Sequence, residues 1–505
     1  ASYDTANNRS ELEKAKEGLK SWLEALKRLE IAKSEPRVEP ILHSVQELVE
    51  QYKGTLIELL NNARGRISMY ERVWRRNMEL IYGEDVVNKV EEEKLRDLFA
   101  TLTIYVAFLK VLGSTLLEAI LGGGRYTIPF LLASQGSNSA VKLFWEKQAL
   151  VRFNINYLFE RDEYDWIFEP DIASKLDDFF RNLGKTLLSF DWSQRIELDL
   201  LKKVYQNIVP VEVRRRLGEF YTPDWIAKLI LYRALHILVR NKPPQEPMPE
   251  RIDDKIEELI DEYYKRYGRI PSFIDPTCGS FTFGVHYINL LIDWYYKYNP
   301  NMHPSAMAVQ ILDNVIGLDL NPVAVITAKV NYLLQIYGLI ARQREGETYL
   351  VTQPMIPIIR TDTTILHDIS MSRRVVTIES FITVLNDIIT IRVPADLFGD
   401  VNEVSESLTK CGFELEEMRR RVDNEQITLK FIELKVPKRL LNAENITKLY
   451  RGLVALLDNG VTGLENELGF SLSTNEKDSL NKLVNSIKCL EEKGLDIYWH
   501  SMLLN

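Results

Sequence analysis

Between Ser272 and Asp362 one pattern recurs, and it restricts the folds open to this chain more than any other feature. The short apolar run SFID ends on Asp275, turns through PTCGS and enters the helical stretch GVHYINLLIDWYYKY. NVIGLDL then carries Asp319 into an Asn-Pro turn, AVITAKVNYLLQIYG follows at helical spacing, and PIIRTD is a third short run. Strands this short, alternating with helices this long, predict an α/β fold with a doubly wound, mostly parallel sheet. Such sheets bind ligands at the carboxyl ends of their strands, where Asp275 and Asp319 fall.

The rest of the chain reads differently. From Glu11 to Lys203 apolar residues recur at helical spacing, as in ILHSVQELVEQYKGTLIELL, so residues 1–205 are expected to form an all-α domain. Residues 206–370 hold the alternating region, and residues 371–505 are expected to be a mixed, mainly helical insertion or accessory region. A chain of 505 residues and 58.6 kDa is too long for one core. Its 46% apolar and 27% charged residues exclude long disorder. The apolar run Leu98 to Ile120 is interrupted by Lys110 and Glu118, which predicts a buried helix rather than a membrane span. No signal peptide opens the sequence, and Cys278, Cys411 and Cys489 form no CxxC pair or disulfide framework, so a cytoplasmic location is expected. The six histidines lack ligand spacing, so no structural metal is expected. A net charge of −9 argues against general affinity for polyanions. Local clusters could still contact phosphate: Arg72, Arg75 and Arg76 around Trp74, then Arg214 to Arg216, and Arg419 to Arg421.

The two Asp-bearing turns narrow the ligand. There is no GxxxxGK[ST], hence no lysine and hydroxyl for a triphosphate and its magnesium, and no complete GxGxxG for a dinucleotide. Two carboxylates at adjacent strand ends suit a cofactor with a sugar and an ammonium group but no pyrophosphate, as in S-adenosylmethionine. Ordinary turns in which each Asp caps a helix would explain either motif alone. They leave GEFYTP, Gly218 to Pro223, unexplained; only its Thr-Pro is a routine helix start.

Taken in order, GEFYTP, DPTCGSFTF, IGLDLNPVAV and IPIIRTD resemble the motif series of adenine-specific, amino-group DNA methyltransferases of restriction-modification systems, of the type I and type IIG kind. FERDEYDWI, Phe159 to Ile167, resembles the helical part that precedes those motifs. The resemblance implies a Rossmann-like methyltransferase domain behind the helical one, with S-adenosylmethionine as cofactor. It implies that Phe220, Tyr221 and Thr222 contact the methionine moiety, and that Asp275, Cys278, Gly279 and Phe283 line the same pocket. Asp319 would bind the ribose, Asn321 and Pro322 would lie near the adenine ring, and Asp362 would lie beside it. Double-stranded DNA, and a specificity or restriction subunit or domain, are the implied partners.

Two positions depart from the family. Its loop reads CGSG, whereas this chain reads CGSF; a side chain at Phe281 disfavours positive φ and is expected to crowd the cofactor. The catalytic tetrapeptide [DNS]PP[YFW], which accepts the hydrogen bonds of the flipped adenine's amine, does not occur; the nearest strings are KPPQ at Lys242 and NPN at Asn299. The final IYWHSMLLN resembles the segment that precedes the tetrapeptide in such enzymes, so the chain is expected to be the N-terminal portion of a longer methyltransferase, inactive alone. The rival reading is a non-catalytic cofactor- or DNA-binding regulator with a methyltransferase fold. A cytosine-ring methylase would need a Pro-Cys nucleophile, which is absent. Asp423 with Glu433 and Lys435 offers a nuclease-like D…ExK on an apparent strand, a pattern common by chance.

Overall fold

The computed structural model describes residues 38–62, 66–122, 126–146, 158–159, 162–192, 200–209, 222–245, 249–340, 356–360, 382–385, 388–394, 401–422, 425–442 and 446–492. The described chain is mainly helical and divides into two units. The first comprises Ala1–Phe159, Tyr164–Gly317 and Val323–Ile358; the second comprises Glu160–Glu163, Leu318–Pro322 and Ile359–Asn505.

In the first unit α1 (Val38–Asn61) and α2 (Arg66–Tyr82) precede α3 (Glu92–Gly122), which is the interrupted apolar run. Every residue of α3 from Leu98 to Ala119 is buried, as expected of a core helix. Most buried polar groups in a helix of this kind need a partner, and here all but the Ser114 hydroxyl of those described find one. Thr101, Thr103 and Thr115 donate to the carbonyls four residues back, at 2.7–2.8 Å. Lys110 Nζ meets Asp165 Oδ1 at 2.6 Å, and Glu118 Oε2 accepts the Ile128 amide at 2.8 Å. α4 (Thr127–Gln135) packs on α3, α5 (Asp177–Leu188) packs on α4, and α6 (Leu200–Ile208) packs on α1. Then α7 (Asp224–Arg240) packs on α8 (Ile252–Tyr267) and on α9 (Thr282–Tyr298).

Strand β1 (Phe273–Asp275) precedes α9, α10 (Pro304–Asn314) leads into β2 (Val315–Asp319), and α11 (Pro322–Ile340) comes before β3 (Ile358–Arg360). The sheet order is β1-β2-β3, with Phe273, Ile274 and Asp275 paired in parallel with Val315, Ile316 and Gly317. The doubly wound parallel sheet expected from the sequence is not formed among the described residues, and the Rossmann-like α/β assignment is corrected accordingly: this sheet stops at three strands. The later strand-forming segments belong to another sheet. Strands β4 (Ile382–Leu385) and β5 (Ile388–Pro394) are separated by only two residues, which permits a hairpin but not the crossover that a parallel pair requires.

The second unit is built on that hairpin. After α12 (Val401–Lys410), β6 (Leu415–Val422) and β7 (Glu425–Pro437) close an antiparallel sheet of order β4-β5-β7-β6. Its helices are α13 (Ile446–Leu468) and α14 (Thr474–Glu492), and α14 packs on β7. Ile432 and Leu434 alternate toward Leu483, Ile487 and Leu490, as a half-buried strand requires. Ser473 and Glu476 form a reciprocal capping box at the start of α14. Glu433 and Lys435 are indeed on a strand, β7, but lie 3.4 Å from each other as an ion pair, and Asp423 is outside the described residues.

Cys411 and Cys489 are bonded, with Cα atoms 5.5 Å apart, which corrects the expectation of no disulfide. Spacing in the sequence could not reveal this pair, because the sheet and α14 bring together residues 78 positions apart. Closing a loop of 78 residues removes about 4 kcal/mol of unfolded-chain entropy. Adding dithiothreitol, or replacing both cysteines with alanine, is therefore expected to lower the stability of the second unit by up to that amount. Hydrogen exchange of the β6 and β7 amides against urea would read it, and unchanged protection would refute it.

Candidate functional site

Asp275 is the last residue of β1 and is 8% exposed. Its Oδ1 accepts the Thr277 amide at 3.2 Å, so the aspartate turns its own loop. Gly279 has φ +54°, with no described atom within 4 Å of where a Cβ would stand. Cys278 is a buried thiol outside the disulfide, its Sγ 3.7 Å from the Gly279 carbonyl. The loop is held from behind: Asn331 of α11 donates to the Ser280 carbonyl at 2.8 Å. Phe283, in the first turn of α9, is half-buried.

Phe281 corrects the expectation of crowding. It does take positive φ, +69°, yet its ring is wholly buried and directed into the core. The ring lies 5.7 Å from that of Tyr332, nearly parallel, and meets Phe273 edge-on at 6.3 Å. A Cβ at Gly284 would overlap it and one at Gly317 would stand 2.8 Å from it, so two glycines elsewhere make its room. The left-handed backbone costs about 1–2 kcal/mol, less than the roughly 3–5 kcal/mol lost on truncating a buried Phe.

The Thr-Pro segment reaches α9 through a charged cluster. Lys202 of α6 is 8% exposed and donates to the Thr222 carbonyl at 3.1 Å, with Asp224 3.6 Å away. Asp224 also faces Nε2 of the buried His286 of α9, at 3.5 Å. Burial pushes the imidazole pKa down from its ordinary 6.5; Asp224 opposes that shift, while Lys228 and Lys202 add to it. Thr222 is thus brought to α9, whereas Phe220, Tyr221 and Arg214 to Arg216 lie outside the described residues.

In the second unit, the half-buried Asp319 ends β2, and its Oδ1 accepts the Asn321 amide at 2.8 Å. Pro322 is buried and starts α11. Arg360 of β3 donates from Nε to the Leu320 carbonyl at 3.3 Å and pairs with Glu163 at 3.7 Å. Asp362 lies outside the described residues, as do the side chains of Arg419 to Arg421.

Of the first basic cluster, the Arg76 side chain lies outside the described residues. Trp74 is buried and donates to Tyr164 Oη at 3.1 Å, and Arg75 is engaged by Glu79 and Glu92. Sequence reasoning missed Lys202, Asp224, His286, Asn331 and Glu163. Glu163, His286 and Asn331 lay in segments already singled out, but as helical or motif residues with nothing local to mark the partner each meets.

No family model and no curated protein matches the chain. Among solved structures it is similar to a nuclease-deletion mutant of the Type ISP restriction-modification enzyme LlaGI in complex with a DNA substrate mimic. The identity is 12% and the TM-score 0.29, over 66% of this chain and 21% of that one. The chain therefore spans about a fifth of that enzyme's length. The likeness is a weak one to a restriction-modification enzyme, and it brings neither an activity nor a cofactor with it.

Two outcomes follow from this geometry. Phe281→Gly is expected to cost about 1–4 kcal/mol in urea unfolding, the lost ring outweighing the relieved backbone; a stabilised variant would contradict the inward placement. Because the folded-state pKa of His286 is depressed, its neutral form adds stability that is full above pH 6.5 and is lost as pH falls toward the lowered value. His286→Gln should therefore flatten the fall in Tm between about pH 7 and pH 5; the same slope in both proteins would exclude His286 as its source.

Proposed function

We propose that this chain is the S-adenosylmethionine-binding portion of an adenine-specific DNA methyltransferase of a restriction-modification or phage-defence system. The observation that carries the reading is the ordered series GEFYTP, DPTCGSFTF, IGLDLNP and IPIIRTD, in which the two Asp-bearing runs are parallel neighbouring strands that each lead through a turn into a helix. The donor set fits the cofactor's chemistry. Asp275, in the turn through Gly279, suits an ammonium group, and Asp319 suits a ribose diol. Thr222 and Phe283 are assigned to the methionine side with Cys278, and Asn321 and Pro322 to the adenine side; Phe220, Tyr221 and Asp362 keep these roles by resemblance alone.

When bound, the cofactor supplies an electrophilic methyl group on sulfonium. The residues of this chain bind and orient it, and positioning is the main source of rate in such a displacement. Duplex DNA is the proposed substrate, its adenine flipped from the stack. The chain holds no [DNS]PP[YFW], so acceptance of the target amine is assigned to a longer polypeptide or assembly that supplies one. The same absence favours, as a second reading, a regulator that binds the cofactor without turnover.

Calorimetric titration of S-adenosylmethionine into the chain tests the proposal. Saturable binding is expected, weakened on the order of 30-fold in Asp319→Ala, since a hydrogen bond to a charged group contributes roughly 1.5–3 kcal/mol. Absence of binding would overturn both readings. Binding unaffected by Asp319→Ala would remove the ribose assignment.

A further inference from the structure

We infer that Arg360 is a positioning residue for Asp319, acting through a single peptide group; this rests on the ribose-binding role proposed for Asp319. The Leu320–Asn321 peptide is gripped on both sides. Its carbonyl accepts Arg360 Nε at 3.3 Å, and its N–H donates to Asp319 Oδ1 at 2.8 Å. A peptide group is planar, so its C=O and N–H point in opposite directions and rotate together. Holding the oxygen therefore fixes where the N–H points, and the N–H fixes one oxygen of the Asp319 carboxylate.

The surroundings suit a fixed support. Arg360 is 8% exposed and Glu163 is fully buried, with Nη1 and Oε2 3.7 Å apart. A buried guanidinium is costly unless it is paired, and pairs of this kind are weak sources of net stability. Its rigid planar fork is suited to orientation: one nitrogen faces the balancing carboxylate while Nε meets the turn. Arg360 acts on the carboxylate from behind, without contact to the ligand.

A double-mutant cycle with S-adenosylhomocysteine as the calorimetric probe tests this on the whole chain. Arg360→Ala is expected to weaken binding about tenfold, the scale of one charge-assisted hydrogen bond. The double variant Arg360→Ala/Asp319→Ala is expected to bind no more weakly than Asp319→Ala alone, because a residue acting through Asp319 has nothing left to position. Losses that multiply would overturn the proposal, since a general structural role or a direct ligand contact acts independently of Asp319. Unchanged affinity in Arg360→Ala would overturn it as well, while leaving the proposed cofactor site intact. Failure of the unmutated chain to bind would overturn both, and that titration comes first. Should Arg360→Ala not fold, Arg360→Lys takes its place in the cycle, keeping the charge opposite Glu163 without the planar Nε donor.

Discussion

The loop that follows β1 depends on one residue in an unfavourable backbone conformation. Phe281 adopts left-handed φ and ψ, and its ring is held between Tyr332 and Phe273 in space left by Gly284 and Gly317. With the ring anchored inside, the Phe281 amide closes the preceding turn on the Cys278 carbonyl at 2.7 Å. Helix α9 then starts at once, its Val285 amide bonding the Phe281 carbonyl at 2.8 Å. A glycine here would allow the turn. A phenylalanine fixes it, because leaving the conformation means withdrawing a large ring from the core.

Local signals made much of this legible. Asp275 and Asp319 end their strands as expected, α9 begins at Thr282, and α7 follows Thr222-Pro223 directly, because turns and helix starts are written in adjacent residues. The direction of the Phe281 ring was not legible. It is set by glycines three and thirty-six positions further on, which read only as small residues until strand and helix are assembled. The same applies to Lys202, Asp224 and His286, three residues on three helices, and to Cys411 with Cys489.

The sheet was misread for a related reason. Periodicity identifies a strand but not its neighbour, and the fold class depends on the neighbours. SFID and NVIGLDL do pair in parallel, but ITVL and IITIRV pair with each other and then with β7. The alternating region of the sequence offers three strands, SFID, NVIGLDL and PIIRTD, and the described sheet stops at those three, whereas a doubly wound sheet needs more.

The two Asp-bearing turns use one construction, and this is the best reason to regard both as built rather than incidental. In each, the aspartate at the strand end accepts the amide two residues on: Thr277 for Asp275, Asn321 for Asp319. In each, a nearby carbonyl is pinned by a side chain from later in the chain, Ser280 by Asn331 and Leu320 by Arg360. An aspartate that only caps a turn needs no second support, because the Asx bond already satisfies the amide. The added donors are buried and polar, and buried polar groups are costly unless fully bonded. Their presence is understandable where the backbone of the turn must hold one orientation, as it must if a carboxylate is to meet a ligand in a fixed direction.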